Sequence, residues 1–396
     1  MTTIGDYAPR VNQYHRPWQL TPEERAEYRR TSQASREAKL RALRGDGPPP
    51  VHPINVPRYD PAKSMPQRER HGLRSLSLFS GGGGLDLGFD QAGFDHQASY
   101  ELLEPAAHTL RLNRPSWTVH GGDAGDVTRV SWRRWRGLID VVHGGPPCQP
   151  FSVAGRQRGP RDDRDMFPAF VEAVLAIEPS AFVAENVAAL GGEKFRPYLE
   201  RSVLRPLRRD GYTIFRLDLR AEFFGVPQQR RRMVLVGFRD PAAAAKWTPP
   251  PPTHSPHRIE DGLIARDDRP RCMGVREALG LEAIGCDSLA PTVRSSLTGP
   301  RHTTSVLSSV SSRSTWERLH VWPNGVAPTR DAAHIFVPAN KHFRLSVTDV
   351  ALLQGFPEEW RFGGAVYMAL GQIGNAVPPP LAYAVASSLA DAIRPL

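Results

Sequence analysis

The chain has 396 residues and a formal net charge of +10, a length that suits two or three domains and a charge that favours a polyanionic partner such as nucleic acid. Its three cysteines, Cys148, Cys272 and Cys286, form no CxxC pair, so we expect neither a disulfide framework nor a metal site. No secretory signal and no apolar run of about 18 residues is present, so we expect no membrane span and a cytoplasmic location.

Residues 1–72 form a polar N-terminal extension with one helix signal. Thr21-Pro22-Glu23-Glu24 combines an N-cap, a proline at the first helical position and a capping-box glutamate, which predicts a helix to about Leu43. The run GDGPPPVHP then ends the helix, and the chain to Arg70 is predicted to be an extended linker. The sequence does not decide between an accessory clamp and a solvated tail.

From Leu73 onward, short apolar runs alternate with helical stretches. The helical stretches include Pro105–Asn113 and Phe167–Ile177. This alternation predicts an α/β fold with a doubly wound, mostly parallel sheet covered on both faces, whose ligands bind at the carboxyl ends of the strands. The predicted strands are the runs LRSLSLF, HQASYE, LIDVVH, AFVAEN, YTIFRLDL and RMVLVGF.

The alternation stops after Phe238. The run PAAAAKWTPPPPTHSP is typical of a linker, and the segment to about residue 340 is rich in Ser, Thr, Arg and Pro, which favours a second, smaller and irregular domain. Regular patterning returns with predicted helices at Val347–Gln354 and Leu381–Ile393. The expected divisions are an extension at 1–72, a first domain at 73–240, the irregular domain at 241–340 and a C-terminal segment at 341–396.

A glycine turn follows the first strand. Phe79 and Ser80 lead into Gly81-Gly82-Gly83-Gly84, which opens a helix and offers backbone N–H groups to an anion. The dinucleotide pattern GxGxxG is not met in any register, which disfavours a nicotinamide cofactor. Glu101, at the end of the next strand, is placed to accept hydrogen bonds from ribose hydroxyls, and Asp123 in GGDAGD from an adenine amino group.

A cysteine follows the strand that ends at His143. Gly144-Gly145-Pro146-Pro147 presents Cys148 in a loop, whereas an inert cysteine ordinarily lies on an apolar face. A thiol with a pKa near ~8.5 needs local help to become a thiolate. Arg156, Arg158 and Arg164 are close in sequence and add positive potential.

The run Pro147-Cys148-Gln149 after a strand resembles the signature of the C5-cytosine-specific DNA methyltransferase family. The glycine turn with its two acids is similar to that family's cofactor motifs, and further matches follow in the family's order along almost the whole chain after residue 73. These are Glu185-Asn186-Val187, Gln228-Gln229-Arg230-Arg231-Arg232, Leu353-Gln354-Gly355-Phe356-Pro357 and Gln372-Ile373-Gly374-Asn375-Ala376-Val377.

The resemblance implies a Rossmann-like fold that uses S-adenosyl-L-methionine. It also implies that the last ~50 residues complete the first domain, and that residues 241–340, with the stretch APTVRSSLTGPRHTTS, form the target-recognition domain. Its implied cofactor-binding residues are Phe79, Gly81, Gly82, Gly83, Gly84, Glu101, Asp123, Ala124, Pro147, Asn375 and Val377.

The resemblance also assigns the chemistry. Cys148 adds to C6 of cytosine, because C5 is a poor nucleophile until C6 is attacked. Glu185 protonates N3, which requires a carboxyl with a raised pKa. Arg232 and Arg230 hold the base's O2 and the nearby backbone, and Gln228 organises the site.

The base must leave the duplex to be attacked, at a cost of roughly a few kcal/mol. The loop from Ser152 to Arg164, rich in Gly and Arg, is the expected lid over the flipped base, with Ser152, Arg156 and Arg164 as candidate substrate contacts. Two positions depart from the family pattern and weaken the expected cofactor contacts: Leu102, where a larger apolar residue often meets the adenine, and Leu103, where an acid is common.

Double-stranded DNA is the expected substrate, bound by a monomer, with a cognate restriction endonuclease as a functional partner. The alternatives are a transfer-RNA cytosine-5 methyltransferase, whose branch carries a Cys-Phe-Thr tripeptide absent here, and a catalytically silent DNA-binding relative. Amino-methylating DNA enzymes are disfavoured because they use an Asp/Asn-Pro-Pro-Tyr/Trp motif. Composition does not specify the target sequence.

Overall fold

The computed structural model describes residues 53–147, 165–256, 268–293, 304–335 and 342–394, and eight positions between 22 and 46. Within these ranges no helix is long and apolar enough to cross a membrane. In the N-terminal extension the described positions from Pro22 to Arg41 are helical, which agrees with the predicted helix. The other positions of that helix lie outside the described residues.

A seven-stranded sheet forms the centre of the molecule. Its strand order is β3-β2-β1-β4-β5-β7-β6; β7 is antiparallel to both of its neighbours, and the other pairings are parallel. All six predicted strands are present, so the predicted doubly wound, mostly parallel sheet is confirmed. The strands are β1 (Arg74–Leu78), β2 (Asp95–Glu101), β3 (Val119–Gly121), β4 (Val141–Gly144), β5 (Ala181–Val187), β6 (Thr213–Arg220) and β7 (Arg231–Phe238).

Helices cover both faces of this sheet. One face packs Phe170 and Val174 against Leu76 and Phe182, and the other packs the two helices that begin at Gly84 and Pro379. The α-helices among the described residues are α1 (Gly84–Gln91), α2 (Glu104–Asn113), α3 (Phe167–Ile177), α4 (Arg196–Leu199), α5 (Arg205–Arg209), α6 (Pro241–Lys246), α7 (Val275–Ala278), α8 (Val310–Arg318), α9 (Arg330–Ile335), α10 (Val347–Leu353), α11 (Val366–Asn375) and α12 (Pro379–Ile393).

The apolar spacing explains why α12 docks where it does. Leu381, Val385 and Leu389 recur every four residues and are fully or almost fully buried, so they form one stripe against the sheet. Prolines occupy the first turn of the helix, where a missing N–H costs nothing. The helix therefore begins two residues before the predicted Leu381.

A second apolar cluster joins the region after residue 268 to the C-terminal segment. It contains Trp316 and Val321, and Leu345 and Phe356 from the C-terminal segment. A two-stranded parallel sheet lies here, formed by β8 (Val321–Ala327) and β9 (Phe343–Ser346). The predicted domain boundaries at 72, 240 and 340 stay predictions.

Residues 53–72, which we call the strap, are mostly extended with one 3₁₀ turn at Pro61–Ser64. The strap is packed: Met65 is buried, the backbone N–H groups of Arg58 and Tyr59 both donate to the carbonyl of Ala278, and Arg68 pairs with Asp391. This part of the extension is therefore no solvated tail.

Asp349 joins three parts of the chain in the interior. Its carboxylate is fully buried and accepts hydrogen bonds from Asn55 Nδ2 at 3.0 Å, Arg330 Nε at 2.9 Å and Ser346 Oγ at 2.6 Å. The strap, α9 and the N-cap of α10 thus share one anion. A buried charge of this kind is tolerated only because every neighbour donates to it.

We predict that Asp349→Ala lowers the free energy of unfolding by about 3–5 kcal/mol, because it leaves the Arg330 cation buried without this partner. Asp391→Ala is the matched control, since its ion pair with the strap is 59% exposed on the aspartate side and exposed pairs contribute about 0–1 kcal/mol. Urea unfolding of both variants measures the difference. Equal losses would contradict the role given to Asp349.

Candidate active site

The glycine turn has the backbone that its sequence predicts. Phe79 and Gly81 have φ values of 55° and Gly83 has 85°, the left-handed region that glycine enters freely. A Cβ on Gly84 would overlap the carbonyl oxygen of Val377. The C-terminal segment thus lies directly against the turn, at the carboxyl end of β1.

Glu101 lies beside the same turn. Its carboxylate is buried and accepts from the backbone N–H of Gly81 and of Leu103, both at 2.7 Å. Burial raises the pKa of Glu101, and these two hydrogen bonds oppose the rise. The two N–H groups fix the direction of the carboxylate at the strand end.

The other candidate cofactor contacts surround this edge. Asp123 and Ala124 are exposed on a 3₁₀ turn directly after β3. Leu102 and Leu103, the two departures from the family pattern, are 50% and 49% exposed. Asn375 is exposed at the end of α11 and Val377 is buried. An open rim of apolar and acidic groups therefore follows the glycine turn.

The predicted nucleophile Cys148 lies outside the described residues, as do Ser152, Arg156 and Arg164. The chain is described up to Pro147, which is half-buried. Asn186 Nδ2 donates to the carbonyl of Pro146 at 3.0 Å. The side chain after Glu185 thus fixes the backbone two residues before the cysteine.

Glu185 and Arg232 form a buried ion pair on neighbouring strands. Arg232 Nε lies 2.7 Å from Glu185 Oε1, and the two side chains are 11% and 8% exposed. Burial raises the pKa of Glu185, and the charges of Arg232 and Arg230 oppose the rise. A Cβ on Gly145 would lie 3.1 Å from Glu185 Oε2. The carboxyl therefore faces the loop that carries the cysteine.

Arg230 is oriented by the C-terminal segment. It is 1% exposed, and its Nη2 donates to the carbonyls of Gly374 and Ala376 at 2.8 and 2.9 Å. These bonds connect β7 to the end of α11. The expected contact of Arg230 with the base stays a prediction.

Gln228 connects three segments behind the ion pair. It is fully buried; its Nε2 donates to Gln354 Oε1 at 2.8 Å and to the Leu353 carbonyl at 3.1 Å, and its Oε1 accepts from the Val293 N–H at 3.2 Å. Val293 belongs to the predicted recognition segment. Gln228 thus holds that segment and α10 to the strand that carries Arg232.

Comparison with known proteins identifies the family of this chain. Residues 73–278 and 282–391 match the model of the C-5 cytosine-specific DNA methylases. The chain belongs to this family. It is therefore a DNA cytosine methyltransferase.

Relatives of this methyltransferase include several Type II methyltransferases. The Type II methyltransferase M.NgoMIV of Neisseria gonorrhoeae is 33% identical over 329 residues, which cover 81% of this chain and 98% of the relative. M.NaeI of Lentzea aerocolonigenes is also 33% identical, over 81% of this chain and 76% of the relative. The Dnmt2 methyltransferase of S. pombe shares the fold, with a TM-score of 0.53 at 15% identity over 81% of this chain and 98% of that one.

The sequence motifs missed one buried acid of the methyltransferase beneath the glycine turn. Asp86 in α1 is fully buried and accepts from Ser99 Oγ at 2.9 Å. Burial raises the pKa of Asp86 to about 6, and hydrogen bonds from the hydroxyls of Ser77, Ser99 and Ser80 oppose this rise. The available signal was an acid within the otherwise apolar run LDLGF, with Ser77 in β1 and Ser99 in β2.

The raised pKa of Glu185 predicts a dependence of stability on pH. The unfolded carboxyl ionises near 4.5, whereas the folded one stays protonated to higher pH, so the folded state loses stability as pH rises from there through the folded pKa. Glu185→Gln does not titrate. The unfolding free energy of the wild type minus that of the variant is expected to fall across this window, measured by urea unfolding at several pH values. A difference that stays constant with pH would contradict the raised pKa.

Proposed function

We propose that the enzyme transfers a methyl group from S-adenosyl-L-methionine to C5 of a cytosine flipped out of a specific duplex DNA sequence, through a transient bond between Cys148 and C6. The Glu185–Arg232 pair carries this proposal. It supplies a buried acid, held by an arginine, that faces the glycine three residues before the cysteine.

The residues at the glycine turn fit the proposed cofactor. A Cβ built on Gly81, which has a positive φ, would meet nothing within 4 Å, so the turn is open on this side, and N–H groups at a helix start suit a carboxylate. Glu101 adds an oriented acceptor at the strand end. When bound, the cofactor supplies the methyl group on a sulfonium centre.

The reaction proceeds by addition and elimination on the base. The Cys148 thiolate forms the bond to C6, and the electron pair displaced toward N3 is met by a proton from Glu185. C5 then takes the methyl group from the bound cofactor, whose sulfur keeps the electron pair of the broken carbon–sulfur bond and leaves as a neutral thioether. The proton on C5 passes to a water molecule, the bond between the cysteine sulfur and C6 breaks to restore the thiolate, and N3 returns its proton to Glu185. Arg232 holds the Glu185 carboxyl in place, and burial raises the pKa of this carboxyl toward the protonated form that donates.

The proposed substrate is a duplex site bound by a monomer. Residues 241–340 would recognise the sequence, and the loop from Ser152 to Arg164 would close over the base. Both proposals rest on the position of these segments in the family pattern. Because several relatives are named Type II methyltransferases, a cognate restriction endonuclease is the proposed functional partner.

Transfer of labelled methyl to duplex DNA and to transfer RNA tests the substrate, followed by nucleoside analysis. The proposal expects 5-methylcytosine in DNA alone. Label confined to RNA would assign the chain to the transfer-RNA alternative. Label in neither, with DNA fragments of broad sequence content supplied, would favour the catalytically silent relative.

We predict that Cys148→Ala abolishes methyl transfer while DNA affinity changes by less than about threefold, because the thiolate acts only in the chemical step. Cys286→Ala is the matched control, since that thiol is exposed and lies near the Arg318 carbonyl at 3.1 Å. Single-turnover transfer and a DNA binding titration measure both effects. Residual transfer by the Cys148 variant would refute the covalent route.

A further inference from the structure

Trp360 lies against the glycine turn from a part of the chain far away in sequence. It follows α10 and is buried, and its indole Nε1 donates to the carbonyl of Gly82 at 3.1 Å. A Cβ on Gly83 would lie 2.8 Å from the Trp360 ring. The tryptophan thus both hydrogen-bonds the turn and fills the space beside it.

The contact fixes a single peptide group at both of its polar atoms. The Gly82 carbonyl accepts from Trp360, and the N–H of the same peptide, on Gly83, donates to the Ser80 carbonyl at 3.0 Å. The N–H of Gly81, two residues before Gly83, donates to Glu101. The turn is therefore held between an indole and a carboxylate, and its remaining N–H directions follow from these two anchors.

The indole is itself held rigidly. The Arg114 guanidinium lies 5.3 Å from the Trp360 ring and 5.7 Å from the Trp117 ring, and its Nε donates to Asp90 at 3.0 Å. Asp90 is buried in α1, the helix that the glycine turn opens. Trp360 is thus tied to both ends of the same helix.

The next residues after the tryptophan are bound to α2. Asn113 Oδ1 accepts from the Arg361 N–H at 2.8 Å, and Asn113 Nδ2 donates to the Arg361 carbonyl at 2.7 Å. The N–H of Gly363 donates to Thr109 Oγ1 at 2.8 Å. The indole N–H therefore has a set position relative to the sheet edge.

We propose that Trp360 is a positioning residue for cofactor binding, which orients the Gly82–Gly83 peptide and thereby sets the shape of the turn that would receive the carboxylate of the cofactor. This inference rests on the proposed use of S-adenosyl-L-methionine. Removal of the indole N–H takes this hydrogen-bond donor away from the buried Gly82 carbonyl. The Gly82–Gly83 peptide then gains freedom to rotate.

Trp360→Phe tests the proposal, because it removes the N–H and keeps an aromatic ring. Calorimetric binding of S-adenosyl-L-methionine and of S-adenosylhomocysteine is expected to weaken about tenfold, the size of one buried hydrogen bond. The KM for the cofactor should rise by a larger factor than kcat falls. DNA affinity without cofactor should stay within about twofold of the wild type.

Trp117→Phe is the matched control, since its ring also lies near the Arg114 guanidinium, at 5.7 Å; the cofactor affinity of this variant should stay within about twofold of the wild type. Arg114→Lys is a second variant that keeps the indole and the charge but loses the planar stack, with an expected weakening of about two- to fivefold. It decides the question if Trp360→Phe does not fold.

Wild-type cofactor affinity in Trp360→Phe would overturn the inference, and so would parallel losses of cofactor binding, DNA binding and thermal stability, which indicate a purely structural role. Wild-type affinity in Arg114→Lys would overturn it where the first variant is unfolded. Failure of the wild type itself to bind S-adenosyl-L-methionine would instead refute the proposed function.

Discussion

The carbonyl oxygen of Val377 occupies the space that a side chain on Gly84 would need, and this close approach governs the organisation of the site. The glycine turn is made at the end of the first strand, whereas the group packed against it comes almost 300 residues later. The C-terminal segment must therefore pack against the carboxyl end of β1 before the turn has a fixed shape. The Arg230 guanidinium, just before β7, binds the Gly374 and Ala376 carbonyls and so holds the C-terminal segment to the sheet.

Two buried carboxyl groups, those of Asp349 and Glu185, have different surroundings in this structure. Asp349 accepts hydrogen bonds from donors in three segments, which together hold the strap, α9 and α10. Glu185 is paired with Arg232 and also feels the charge of Arg230, yet burial outweighs both charges and raises its pKa. One buried carboxyl group thus joins distant segments, whereas burial shifts the other toward its neutral form.

Much of this was predictable from sequence because it rests on local pattern. All six strands and the helix Phe167–Ile177 followed from apolar periodicity, and α10 and α12 differed from prediction only at their ends. The position of Glu101 at a strand end followed from the rule that ligands bind at the carboxyl ends of the strands, whereas the ion pair between Glu185 and Arg232 was not among the predictions. Contacts between distant segments did not follow. The hydrogen bond from Trp360 to Gly82 spans 278 positions, and the packing of the strap depends on isolated side chains without periodicity.

The strap determines where another protein can be fused to this chain. The segment matched by the family begins at residue 73, yet Tyr59 and Met65 belong to the same apolar cluster as Trp316 and Leu345. The packed unit is therefore longer than the segment that the family model matches, and removal of the residues before 73 would take part of the cover from this apolar cluster. A fusion partner that is joined before residue 53 leaves the strap in place. The suitable fusion junction therefore lies about twenty residues before residue 73, where the family match begins.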